Sequence, residues 1–166
     1  MLGCCQISPS FLLTDIGFFM NDKASGFVRN LLASEHAEAG SDQIRVKAST
    51  GPGGHLVCRF LQPGVGCRLP MPSRPMVCRQ YLCPEVGLWQ DSRARRWVDF
   101  WLFVQEEEVR QQQLLADECA RRGVSLLLRR DECLQLVQSM YQELQASSSF
   151  PGGYPAAETI ILKKQA

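Results

Sequence analysis

The eight residues from Trp97 to Val104, WVDFWLFV, constrain the fold more than any other part of the chain. Their even positions are all apolar, and their odd positions are aromatic except for Asp99. Successive side chains of an extended chain point to opposite faces. The segment therefore reads as a strand buried on both sides, the central strand of a sheet.

The residues after Val104 fit that reading. Gln105 to Arg122 reads as a helix of about 27 Å. Glu106, Glu107 and Glu108 would fill its first turn, Arg121 and Arg122 its last, and Gly123 would cap it, a charge order that favours the helix dipole. Val124 to Leu128 reads as a second buried strand. Asp131 can N-cap a helix to about Ala146, with Leu134, Val137, Met140, Tyr141 and Leu144 on one face. Strand, helix and strand in this order predict a right-handed parallel crossover with a covering helix.

The first half is less regular. Residues 1–24 show no clear period and read as an irregular N-terminal segment. Ser25 to Ala39 reads as a helix that Gly40 ends. Gln43 to Ala48 alternates as a half-buried strand, and His55 to Leu61 reads as a second. Together they suggest a hairpin across the turn-rich residues 49–54. Pro63 to Pro75 reads as a loop, Met76 to Leu82 as a short strand and Pro84 to Arg96 as a connection. After Ser147 the chain turns to Ser, Pro and Gly. The expected organisation is one α+β domain with a mixed sheet over 25–146, followed by a loose tail over 147–166.

Composition removes several functional classes. The chain has 166 residues, 45% of them hydrophobic, and a net charge of +1, so no global basic field points to nucleic acid. No run of about 20 apolar residues suggests a membrane span. The eight cysteines would suit disulfides in a secreted chain, but the N-terminus lacks a basic region and Asp15 interrupts its apolar stretch. Reduced thiols in the cytoplasm or nucleus are the expectation.

No catalytic constellation is complete. Of the two histidines, His36 reads as a surface residue, and His55 points away from Cys58 three residues on along a strand. Cys58, Cys67, Cys78 and Cys83 lack the short knuckle spacing of structural zinc. Gly51-Pro52-Gly53-Gly54 precedes a strand and has no following Gly-Lys-Ser/Thr, so it is no phosphate loop. Neither a metal nor another cofactor is expected.

Two functions remain. The first is a non-catalytic subunit or adaptor of an intracellular assembly, with Thr159, Ile160, Ile161 and Leu162 as a strand to offer a protein partner. The second is nucleic-acid binding through Arg93, Arg95, Arg96, Arg121, Arg122, Arg129 and Arg130. The order helix, three strands, helix, strand over about residues 25–146 resembles that of the restriction-endonuclease-like fold. That resemblance implies a nuclease-type domain, here degenerate: the strand at His55 to Leu61 carries no acid, and Trp101 stands two residues after Asp99, where such sites carry lysine.

Overall fold

A computed structural model of the chain describes residues 8–22, 25–79 and 95–147. These form helices packed on small antiparallel sheets, an α+β arrangement.

The N-terminal segment, expected to be irregular, supplies the centre of the core. Ser10–Leu12 is a strand, β1, and Leu13–Asn21 is a helix, α1. Leu13, Ile16 and Phe19 recur every three residues along α1 and are fully buried. Helix α2, Ser25–Ala33, buries Val28 and Leu31. It ends six residues earlier than its periodicity suggests, because Ala37–Ala39 leaves it to become strand β2. Strand β3, Gln43–Val46, lies between β1 and β2 and pairs antiparallel with both, Ile44 opposite Phe11 on one side and Ala39 on the other. Ile44 and Val46 face inward, as their alternation requires. The sheet hydrogen bonds available on both edges of β3 outweigh the helical tendency of residues 37–39.

The expected hairpin between 43–48 and 55–61 is replaced by two smaller ones. Ser49–Thr50 (β4) pairs with Leu56–Val57 (β5), and Leu61–Gln62 (β6) pairs with Gly66–Cys67 (β7). Gly64 in the second turn and Gly66 at the start of β7 take φ of +78° and +109°, where a side chain would strain the backbone. Met76–Arg79 forms one helical turn, α3, where the first part of the strand Met76 to Leu82 is expected, and residues 80–82 lie outside the described residues.

The largest departure is in the second half. Trp97 to Val104 is not a central strand: it is the first part of one helix, α4, Arg95–Arg121. Val124 to Leu128 is irregular, and helix α5 spans Arg130–Ser147. No parallel crossover forms; every strand pair among the described residues is antiparallel. The element order that resembled a restriction-endonuclease-like fold is therefore absent among the described residues. The physical reason is continuity. From Gln90 to Arg122 no Gly or Pro interrupts the chain, so nothing turns a strand into a helix. The strongly helix-forming stretch after Gln105 extends backwards, one hydrogen bond for each residue fixed. The acidic triplet Glu106 to Glu108 lies inside the helix rather than at its dipole-favoured start.

Val124 and Leu126 are buried as a strand would bury them, but the Leu126 N–H donates to the Ser41 carbonyl in a loop (3.1 Å). Arg129, at φ +55°, then turns the chain into α5.

Helix α1 packs on α5 so closely that a Cβ on Gly17 would lie 2.6 Å from the Tyr141 Cβ. Asn21 donates to the Gln138 carbonyl (3.1 Å), and Gln138 donates back to the Met20 carbonyl (2.9 Å). Both sides of the contact are thus fixed, so Gly17→Ala should cost about 1–3 kcal/mol of stability in urea unfolding. Stability equal to the parent's would mean that α1 and α5 can separate freely.

Candidate functional site

Helices α4 and α5 run antiparallel. Cys119 Sγ lies 3.8 Å from Cys133 Sγ near one end, and Gln145 contacts Gln111 (3.4 Å) near the other. From Gln111 back to Arg95, α4 continues about 24 Å, whereas α5 passes Gln145 by only about 3 Å. Among the described residues, the first part of α4 therefore reaches about 20 Å beyond Ser147.

The projecting part keeps the core-facing pattern. Gln111, Leu115 and Cys119 are the buried residues of the packed half. Counting back by three and four residues along the same face reaches Glu108, Val104, Trp101 and Trp97. Val98, one residue after Trp97, is buried at 7% exposure, Val104, Trp101 and Trp97 are half-buried, and Leu102 on another side of the helix is 41% exposed, so this part of the helix is partly covered. An aromatic continuation of a core stripe, on a helix longer than the one it packs against, is the first candidate surface.

The second feature is a polar cluster where α1, α3, α4 and α5 meet. Asp15 is 2% exposed, and its carboxylate accepts hydrogen bonds from the Leu12 N–H (3.1 Å) and the Met76 N–H (2.7 Å). It therefore holds the start of α1 and, from a distance in sequence, the start of α3. The Arg79 guanidinium lies 3.7 Å from Asp15 and 5.0 Å above the Phe18 ring. Glu108 faces this group from α4, and Tyr141 from α5, around a cavity of about 90 Å³. Among the described residues, Thr14 Oγ1, Arg79 Nε and Glu108 Oε1 are buried there without a well-formed hydrogen bond, although the Thr14 hydroxyl stands near enough to Glu108 to favour its charged form.

Burial raises the Asp15 pKa to about 6, against the pull of its two backbone donors and Arg79. Burial, reinforced by the Asp15 charge, raises Glu108 to about 7, with Arg79 opposing. The two carboxyls titrate as a pair near neutrality. Such a cluster can hold a proton and ordered water. No group of three His, Cys, Asp or Glu side chains among the described residues is placed to hold a metal ion.

The six described arginines of the proposed nucleic-acid set do not form one surface. Arg95 and Arg96 begin α4, whereas Arg121 and Arg122 lie at its other end, about 39 Å away. Arg95 pairs with Asp99 (3.4 Å), and Arg121 and Arg122 share Glu118 (2.5 and 2.7 Å). Arg129 pairs with Glu132 and reaches the Arg122 carbonyl (3.4 Å), while Arg130 donates to the Leu126 carbonyl (3.1 Å). Arg121, Arg122, Arg129 and Arg130 are thus neighbours, with carboxylates interleaved. Arg93, Cys83 and the partner strand Thr159, Ile160, Ile161 and Leu162 lie outside the described residues.

Asp15, Arg79 and Glu108 carry no motif that marks them as site residues in the sequence. Asp15 stands at the third position of α1, where an acid accepts from the residue before the helix, and that is the one available signal. Their convergence is tertiary. No protein-family model, curated protein or solved structure matches the chain significantly.

Proposed function

We propose that this chain is a non-catalytic subunit or adaptor that engages a protein partner through the projecting half of α4. The observation that carries the reading is the continuation of the α4 core stripe through Val104, Trp101 and Trp97 past Ser147, the last described residue of α5. A helix displaying aromatic residues at three- and four-residue spacing is the form in which an apolar groove or a second helix is recognised. Tryptophan contributes heavily to such contacts because one side chain buries a large rigid area. No described helix is long and apolar enough to cross a membrane, so the stripe is not read as a lipid-embedded span. The cysteine argument favours an assembly in the cytoplasm or nucleus.

Nucleic-acid binding is the weaker reading. Most of its proposed arginines are paired with carboxylates, and the set is divided between the two ends of α4.

The test is the size of the tagged chain in gently lysed cells. The parent should elute in a species larger than its own mass, and Trp97→Glu should move it to the monomer position while its purified form melts as the parent does. A parent that elutes as a monomer, or a variant that stays in the larger species, overturns the proposal.

A further inference from the structure

A groove of about 540 Å³ opens between α2, the turn after it and the β6–β7 hairpin. Its size is that of sites for small organic molecules, which span about 300–1,000 Å³. Phe27 and Phe60 provide aromatic walls, and Leu31, Val46 and Leu69 an apolar floor. Phe27 is held from behind by edge contacts to Phe11 and Phe19, with ring centroids 5.6 and 5.4 Å away.

The charged lining is cationic. Arg59 and Arg68 line the groove beside Asn30, Ser34 and His36, and no carboxylate does among the described residues. Glu35, 3.5 Å from His36 Nε2, is 85% exposed and is not part of the lining. Elsewhere on the molecule arginines sit against acids: Arg29 on Asp131, Arg95 on Asp99, Arg110 on Glu107, Arg121 and Arg122 on Glu118. Among the described residues, neither Arg59 nor Arg68 has a carboxylate partner.

The backbone places Arg68 on the hairpin, and one side-chain contact places the Arg59 guanidinium. The Arg68 N–H donates to the Phe60 carbonyl (2.7 Å), which extends the hairpin one step and sets Phe60 beside Arg68. Arg59 Nη2 donates to His36 Nε2 (2.9 Å), which ties the hairpin to the turn after α2. Two guanidinium forks beside two phenyl faces match an anionic group carried on a flat apolar body.

We infer that this groove is a binding site for a small aromatic anion, its carboxylate or phosphate held by Arg59 and Arg68 and its ring system lying against Phe27 and Phe60. The inference is independent of the partner surface on α4.

Calorimetric titration of the full chain with 1-naphthyl phosphate, 1-naphthoate and neutral 1-naphthalenemethanol tests it. At least one anion should bind one to one and at least tenfold more tightly than the alcohol. Tighter binding of the phosphate identifies a phosphate site, and tighter binding of the carboxylate a carboxylate site. The double variant R59Q/R68Q should lose that preference at least tenfold while retaining the alcohol's affinity. Should the double variant not fold, sodium chloride replaces it: the anion's affinity for the parent should fall with added salt and the alcohol's should not. Equal affinity for anion and alcohol, no binding of either anion, or a preference untouched by the double substitution or by salt overturns the inference.

Discussion

Asp15→Ala should lower the unfolding free energy by about 2–5 kcal/mol at pH 5, measured by urea unfolding. The substitution leaves two backbone donors, Leu12 N–H and Met76 N–H, without their acceptor, and each unpaired buried donor costs about 1–3 kcal/mol. The loss should be smaller at pH 8. With its pKa raised to about 6, Asp15 is mostly charged there, and its removal also relieves the cost of a buried charge. Asp15→Asn keeps an acceptor for one donor and should fall between the parent and the alanine variant. An alanine variant as stable as the parent at pH 5 would show that the carboxylate does not hold α1 and α3 together.

Glu108 should give the opposite sign. Its folded pKa of about 7 lies above its ordinary value of 4.5, so the folded chain binds a proton more tightly than the unfolded chain does. The resulting stabilisation is complete below about pH 4.5, declines as pH rises towards 7 and is absent above it. Asp15, raised from 3.8 to about 6, declines over an overlapping range. The parent should therefore be more stable at pH 5 than at pH 8, the reverse of ordinary acid denaturation. Glu108→Gln should remove about 1–2 kcal/mol of that difference, a figure reduced for the partial solvent contact of the side chain, by stabilising the protein at pH 8. Unfolding curves at pH 5, 6, 7 and 8 for both proteins decide the matter. Parallel profiles would mean that Glu108 does not titrate in this range.

The parts of the fold legible in the sequence are those whose pattern is settled locally. The alternation of Ile44 and Val46 marked β3, and Leu134 and Val137 marked the buried face of α5. Trp97 to Val104 misled because a run apolar on every side fits a buried strand and a helix equally. The deciding signal was what lay between that run and the next, where neither Gly nor Pro occurs. In the N-terminal segment the spacing of Leu13, Ile16 and Phe19 was present but short. A single helix of nine residues becomes stable only against α5, which lies more than a hundred residues away.

The candidate sites were legible to different extents. The tryptophans of the α4 stripe were visible as an aromatic concentration, but their projection beyond α5 depends on where two helices end. The Asp15, Arg79 and Glu108 cluster joins three distant positions, none of which carries a motif. The arginines were visible as charges, whereas their pairing with Glu118, Glu132 and Asp99 comes from helical spacing once α4 and α5 are placed.

The central claim is that the first half of α4 is the surface this chain offers a partner. A photo-crosslinking amino acid placed at Trp97, and as a control at the exposed Glu143 of α5, tests it in living cells. The account predicts one dominant protein adduct of defined mass from position 97 and none from position 143. Equal labelling from both positions, or no adduct from position 97, would contradict it.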